Sequence, residues 1–371
     1  MKILQIIDSL MVGGAQRLLV VFSEEMLKRG HLVEVATLLK RRIESPILTE
    51  LEMLKIPIYH FPLFNLGDFI SCIKMARFIK ANQPDIVHTQ LNYANIVGSL
   101  AAGISKIPCV ASLHNSSSHL FCDHHYRTWL ETWMLKNISR QIIACGFTVA
   151  HVQQPRFKSK ILKVIPNPVP ILSPLDSEKV QEFRRSQLDG GKEFLLVSVG
   201  RLIPEKGYPD LIRAMRIIKT HSNRKIRLVI AGDGPLLEQL RVMAAELGLA
   251  EIVQFLGQRS DIPIILAASD LYISSSHYEG QSLAVLEAMA AGLPLVVTDV
   301  GDNARVVSAD RGILIPAGNP EKIAESVLRL MNNPEERNNM ALAAKSGVLQ
   351  DCSASVWADQ LLAVYAEVLN G

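Results

Sequence analysis

The feature that most restricts the fold is a repeated alternation. Short, wholly apolar runs with β-branched residues recur along the chain, each followed by a segment of helical periodicity. Apolar runs without polar alternation belong to strands covered on both faces, and strands alternating with helices build parallel sheets from βαβ units. In the first half the runs are Lys2–Asp8, His31–Leu38, Ile56–Phe61, Asp85–Thr89, Cys109–His114 and Gln141–Ala144. Between the first two, Ala15–Arg29 puts Leu18, Leu19, Phe22 and Met26 on one face and stops at Gly30. A second series follows, with Phe194–Val199, Arg227–Ala231, Val253–Leu256, Leu271–Ser274 and Leu295–Thr298. The expected class is α/β, with two Rossmann-like domains in tandem and the cleft between them as the default site.

Punctuation divides the series. Pro166-Asn167-Pro168-Val169-Pro170 opens a proline-rich, then polar stretch that ends at Gly190-Gly191. This places an N-terminal domain at 1–170, a linker at 171–191 and a C-terminal domain at 192–354. The last segment, Val356–Leu369, sets Trp357, Leu361, Val364, Tyr365 and Val368 on one face. Residues 355–371 are therefore expected to pack back onto the first domain.

The 371 residues match two domains at about 150 residues each. A mean hydropathy of +0.20 is high, yet no apolar run approaches the roughly 18 residues of a membrane span. The N-terminus has one lysine and then an aspartate after a short apolar run, which reads as a strand rather than a leader peptide. The five cysteines are odd in number and widely spaced, without zinc-ribbon or C-x-x-C spacing, so neither disulfide nor metal is assigned. Charge is split. Residues 1–170 hold 19 Lys and Arg against 11 Asp and Glu, whereas 171–371 hold 20 against 25. A basic half joined to an acidic one suggests different partners, the basic half facing something anionic. Lys40-Arg41-Arg42, the Trp129/Trp133 pair and the segment Phe69–Lys80 all lie there; Lys74, Arg77 and Lys80 are expected on one side, with Ile70, Ile73 and Ile79 elsewhere. Such a surface suits anionic lipid headgroups, and equally an ordinary packed helix with solvated lysines.

The most informative stretch runs from His277 to Pro294, with Glu279, Gly280, Gln281, Ser282, Leu283, Ala284 and Glu287 in its first half. It reads strand, turn, helix, stop: Ser282 caps, Gly292 ends in a left-handed conformation and Pro294 prevents continuation. Glu287 is the only charge on an almost wholly apolar helix, so it is expected buried and in need of donors. Glu279 sits past the carboxyl end of a strand, where α/β proteins bind ligands, and the open N–H groups near Leu283 suit a phosphate. Two acids eight apart would by themselves be a paired acid and a solvated loop acid. The context adds to them: Gly200-Arg201-Leu202-Ile203-Pro204-Glu205-Lys206-Gly207 puts two cations at the same sheet edge, the chemistry that neutralises a diphosphate.

Together these residues resemble the family-4 glycosyltransferases, retaining enzymes of the GT-B fold. Glu279 and Glu287 with the following Ala288–Pro294 resemble the E-x7-E motif and its flank; Arg201 and Lys206 resemble the G-R-L-x-x-x-K-G element. Met11-Val12-Gly13-Gly14 looks like the family's glycine-rich loop, Ala111–His114 like its strand-end histidine and Ile165–Val169 like its interdomain element. The resemblance implies that Glu279 holds the donor sugar's hydroxyls and supports positive charge at its anomeric carbon. It implies that Glu287 accepts hydrogen bonds from the ribose. Arg201 and Lys206, with the N–H groups of Leu283 and Ala284, would stabilise the departing diphosphate, while Gly280 and Ser282 complete the donor site. Gly13 and Gly14 would let backbone approach phosphate or acceptor, with His114 near the sugar. Cys145 stands where a serine is common, and Gln281 and Ser282 where an aromatic and a small residue are frequent; these positions bear on which sugar is held.

No Asp-x-Asp occurs, so leaving-group stabilisation without a metal is expected; the dinucleotide fingerprint and the P-loop are also missing. The expected partners are a nucleotide sugar (UDP before GDP, and no other cofactor), a glycan or lipid-linked acceptor, and an anionic membrane in peripheral contact; nucleic acid is not expected. Localisation is expected to be cytoplasmic, with the inner face of the plasma membrane as the peripheral seat. Two rival readings are a nucleotide-sugar epimerase on the same two-lobed fold and a non-catalytic two-lobed sugar-binding protein.

Overall fold

The computed structural model describes the chain except residues 12, 39–44, 65, 67, 115–124, 159, 170–174 and 189–192, and gives His125 by its backbone alone. Lys40-Arg41-Arg42, Cys122 and Gly190-Gly191 therefore lie outside the described residues.

The chain forms two compact units, Met1–Pro170 with Ala354–Gly371, and Ile171–Ser353. In the first, strands β1 (Lys2–Ile7), β2 (Leu32–Thr37), β3 (Ile58–His60), β4 (Ile86–Gln90), β5 (Cys109–Leu113), β6 (Gln141–Ala144) and β7 (Lys163–Val164) alternate with helices α1 (Gly14–Lys28), α2 (Pro46–Met53), α3 (Phe69–Asn82), α4 (Ser99–Ser105), α5 (His125–Asn137) and α6 (Phe147–Gln153). A π-helical turn, Ala94–Gly98, leads into α4. The second unit continues with α7 (Ser177–Gln187), β8 (Phe194–Val199), α8 (Tyr208–His221), β9 (Ile226–Ala231), α9 (Leu237–Glu246), β10 (Val253–Gly257), α10 (Ile262–Ala267), β11 (Leu271–Ser274), α11 (Leu283–Ala290), β12 (Leu295–Thr298), α12 (Asn303–Val306), β13 (Ile313–Ile315), α13 (Pro320–Asn332) and α14 (Pro334–Asp351). Helix α15 (Ala354–Asn370) closes the chain.

Both sheets are parallel. Their orders are β3-β2-β1-β4-β5-β6-β7 and β10-β9-β8-β11-β12-β13. In each, consecutive strands run outward from a central strand and then return to its other side. That reversal makes a topological switch point, at β1/β4 in one unit and β8/β11 in the other, where crossovers leave a crevice at the carboxyl edge. The central strands of both sheets are buried on both faces, which accounts for much of the high hydropathy. Among the described residues no helix is long and apolar enough to cross a membrane.

Three elements differ from the sequence expectation. The stretch expected as a linker contains α7, grouped with the second unit. Asp176 caps it through the backbone N–H groups of Glu178 and Lys179, and Arg184 pairs with Asp270 at 2.9 Å. Its polarity marks a solvated helix, not an irregular segment, because its mean composition hides the few residues that anchor it. Strands β7 and β13 were missed since two or three residues cannot show a period.

Helix α15 belongs to the first unit. Trp357, Leu361, Val364, Tyr365 and Val368 enter the core formed by β1, α1 and α2. Phe22 meets Trp357 edge-on at 6.2 Å and Tyr365 at 6.4 Å, geometry favoured by the ring quadrupoles. Arg140 donates to the Val368 carbonyl at 2.8 Å and Arg29 pairs with Asp359. The four described cysteines are buried free thiols, and burial pushes Cys109 up to about 11.

Candidate active site

The second unit's switch point gathers the charged candidates. Past β8, the loop holds Arg201 and Lys206; past β11, the turn holds Glu279. The Lys206 Nζ donates to Glu279 Oε1 at 2.6 Å, and the Ser276 hydroxyl donates to the same oxygen at 2.7 Å. Glu279 Oε2 makes no hydrogen bond among the described residues, which leaves it for a ligand hydroxyl. Arg201 is exposed and has no ion-pair partner among the described residues.

Backbone chemistry explains why these two loops meet. Gly207 adopts φ +60°, and a Cβ there would lie 2.0 Å from the Ser275 carbonyl oxygen, so only glycine permits the approach. Ser275 Oγ donates to the Lys206 carbonyl, and the His277 N–H donates to the Glu205 carbonyl at 2.7 Å. A second clamp runs through side chains. Asp210, buried in the first turn of α8, accepts from His277 Nε2 at 2.7 Å and from Arg213 at 2.9 Å. From the other side, Gly301, also at φ +60°, packs against the carbonyls of Glu279 and Gly280, and the Asp302 N–H donates to the Gly280 carbonyl at 2.8 Å.

Helix α11 starts at Leu283, with Ser282 in the N-cap place. The expected cap is not made by the Ser282 hydroxyl, which forms no capping bond, so the first N–H groups of α11 stay open to an anion. Gly292 ends the region at φ +77°, as expected. Glu287 is a correction: it is half-buried, while Val285, Leu286, Ala288, Met289 and Ala290 are buried. A helix of short apolar residues hides its own flanks better than a long acid that can reach solvent.

The remaining candidates lie at the carboxyl edge of the first unit. Gly13 precedes α1 in extended conformation at φ −174°, which any residue adopts; the atom a Cβ would crowd is the end of the flexible Gln16 side chain. Gly14 opens α1. His114 follows β5. Burial pushes its imidazole down to about 4, so it is neutral at pH 7, and its buried Nε2 has no hydrogen-bond partner among the described residues. Beneath that edge a neutral polar network spans three strands. His88 Nδ1 lies 2.6 Å from the Tyr365 hydroxyl and Nε2 lies 2.8 Å from Ser112 Oγ, while Gln90 donates to Gln5 Oε1. Asp8, just past β1, accepts the Ala94 N–H at 2.7 Å, yet burial raises it to about 7.

Sequence reasoning missed Ser276, Asp210, His277, Gly301 and Asp302. The Gly301-Asp302 pair just past an apolar run is a turn signal that could have been read; Asp210 and His277 are 67 positions apart and carry none. Among the described residues no cluster of three or more His, Cys, Asp or Glu is placed to hold a metal ion.

Two doubly wound parallel sheets in tandem define a class, the α/β proteins built from two Rossmann-like units. The particulars come from comparison. Residues 179–347 match the glycosyl transferases group 1 and residues 12–171 match glycosyltransferase family 4. An Escherichia coli UDP-Gal:alpha-D-GlcNAc-diphosphoundecaprenol alpha-1,3-galactosyltransferase is 29% identical over 72% of this chain and 72% of its own. A Mycobacterium leprae phosphatidyl-myo-inositol mannosyltransferase is 28% identical over 96% and 93%. The fold is that of Anabaena HepE in complex with UDP-glucose, at a TM-score of 0.84 and 21% identity, covering 99% of this chain and 100% of that one. The chain belongs to glycosyltransferase family 4 and has the GT-B fold.

Proposed function

We propose that this glycosyltransferase is a retaining, metal-independent enzyme that moves a hexose or N-acetylhexosamine from a nucleoside diphosphate sugar, UDP before GDP, to a glycan or lipid-linked acceptor in surface-polysaccharide assembly. It works on the cytoplasmic side, in peripheral contact with the membrane. The observation that carries this reading is the Lys206–Glu279 pair at 2.6 Å, with exposed Arg201 on the same loop as Lys206 and no side-chain cap at the start of α11. In the reaction the bond between C1 of the sugar and the diphosphate oxygen breaks. Arg201, Lys206 and the N–H groups of Leu283 and Ala284 take up the charge growing on the departing diphosphate. The acceptor oxygen bonds to C1 from the same face, and its proton leaves with the diphosphate. Glu279 supports the positive charge at C1 and holds sugar hydroxyls, and Glu287 holds the ribose. The first unit, with Gly13, Gly14 and neutral His114 at its edge, takes the acceptor. Relatives named for a diphosphoundecaprenol-linked sugar and for phosphatidyl-myo-inositol support a lipid-linked acceptor.

The test is turnover of UDP- and GDP-sugars with EDTA present, reading the anomeric configuration of the product by NMR. Retained configuration is expected. An inverted product, a strict Mn²⁺ requirement, or rapid epimer formation without acceptor would each sink this reading.

A further inference from the structure

We propose that Tyr365, His88 and Ser112 form a hydrogen-bond relay from the last helix to His114, which holds the His114 proton on Nδ1 and makes that ring a hydrogen-bond donor toward an oxygen of the bound sugar or acceptor. This rests on the transferase reading, which puts His114 beside the ligand, and adds which proton it offers and which residues set it. The starting observation is that three buried polar side chains stand side by side on the central strands of the first unit. Gln5 lies on β1, His88 on β4 and Ser112 on β5, strands that are neighbours in that order. Gln5 and His88 are paired directly in the parallel register. Polar groups are costly inside a sheet unless each finds a partner, so the way these share their protons is constrained.

The direction of each bond follows from what each group can offer. Gln90 donates to Gln5 Oε1 at 2.8 Å. That leaves the Gln5 amide nitrogen, a donor only, facing His88 Nδ1 at 3.2 Å and the Tyr365 oxygen at 3.5 Å. Nδ1 must therefore accept, and the Tyr365 hydroxyl, 2.6 Å away, donates to it. Burial keeps the His88 imidazole neutral, pushed down to about 3, so its one proton sits on Nε2. Nε2–H then donates to Ser112 Oγ at 2.8 Å. The Ser112 oxygen is thus taken as an acceptor, and its own proton has no acceptor among the described residues.

His114 supplies the missing end. It stands two positions after Ser112, the spacing of one strand face, and it is close enough to His88 to depress that ring further. Its Nε2 is buried without a partner among the described residues, while the residue as a whole is half-buried, so Nδ1 is the nitrogen on the open side. One free donor and one free ring nitrogen at the end of the same strand are complementary. The Ser112 proton, directly or through one water, satisfies Nε2 as an acceptor. A neutral imidazole that accepts at Nε2 carries its proton on Nδ1, and burial keeps His114 neutral at about 4. The relay therefore ends in an N–H at the carboxyl edge, suited to a hydroxyl or ring oxygen and unsuited to an ammonium or amide N–H. Tyr365 and Ser112 are positioning residues that act through the two imidazoles. The last helix, 277 positions from His88, reaches the site through one hydroxyl.

The experiment is heteronuclear NMR of the imidazole nitrogens in the full chain, with signals assigned by His88→Gln and His114→Gln. It is run beside thermal shift and turnover with UDP-glucose, UDP-galactose, UDP-N-acetylglucosamine and GDP-mannose. Expected in the wild type are a proton on Nε2 of His88 and on Nδ1 of His114. Ser112→Ala should spread the His114 proton over both nitrogens and lower kcat about fivefold, the worth of one hydrogen bond, with KM for the donor unchanged. Ser112→Thr, which keeps the hydroxyl, should restore both. Tyr365→Phe leaves His88 Nδ1 only the longer Gln5 contact, and should show the same change at a smaller size, about twofold in kcat. Trp357→Phe loosens the same helix without removing a group of the relay, so a lower melting temperature with wild-type kcat is expected. A wild-type His114 proton on Nε2, undiminished kcat in Ser112→Ala, threonine no better than alanine, or a Trp357→Phe loss equal to that of Tyr365→Phe overturns the relay. Wild-type failure both to bind and to turn over any of these donors breaks the transferase reading instead, and the tautomers, read without substrate, still decide the relay.

Discussion

The two units share one architecture and treat charge at their switch points in opposite ways. At β8/β11 a lysine and a glutamate stand in direct contact, and an exposed arginine lies on the same loop as the lysine. At β1/β4 the polar groups are numerous but mostly neutral: His88 is pushed down to about 3 and His114 to about 4, and Asp8 is raised to about 7. Burial without an opposite charge drives all three shifts. Helix α15 completes that neutral network by delivering the Tyr365 hydroxyl to His88. The same fold thus leaves one edge charged and the other mostly neutral. The difference lies in whether two loops are allowed to touch, which in the second unit rests on Gly207 and Gly301.

The sharpest way to break the contrast is to remove its charge. Lys206→Ala is expected to lower kcat by about 100- to 1000-fold, the usual loss for one transition-state donor, while the first unit's packing is untouched; near wild-type donor turnover would refute the site. Gly207→Ala comes next. It combines a left-handed backbone with a Cβ 2.0 Å from a carbonyl, and should cost at least about 2 kcal/mol in chemical denaturation along with the activity. Retained stability would show that the loops need not meet so closely. In the first unit, Leu361→Ala on α15 should cost about 2–5 kcal/mol by leaving a cavity against α1 and the sheet. A loss below half of that would show that α15 is peripheral to the core.

A smaller effect concerns pH. His88 and His114 titrate near 6.5 when unfolded and near 3 and 4 when folded, so the unfolded chain binds more protons between those values. Stability is therefore lost as pH falls from about 6.5 toward 3 to 4, by at most about 1.4 kcal/mol per pH unit for each group. His88→Gln should flatten the melting temperature in that window; an unchanged slope would mean the network tolerates a charge. The mildest test is His277→Ala against His277→Gln. Loss of the bond to Asp210 should raise KM for the donor a few-fold, about 1 kcal/mol for one hydrogen bond, with partial rescue by glutamine. Equal behaviour of the two would remove His277 as the residue that positions Glu279.

The sequence by itself determined the class and the candidate residues. Continuous apolar strands require covered parallel sheets, and the run from Glu279 to Pro294, with Arg201 and Lys206, marks charged candidates past the carboxyl ends of two strands, because local spacing carries that information. It did not show that Lys206 and Glu279 bond to each other, since 73 positions separate them and only the βαβ crossovers bring β8 beside β11. It missed α7 and buried Glu287 wrongly, because composition reports polarity and not anchoring. Tertiary structure alone decided which aromatics of the first unit are exposed. Strand order converts scattered positions into a surface, and side-chain exposure is a property of packing, not of any segment read alone.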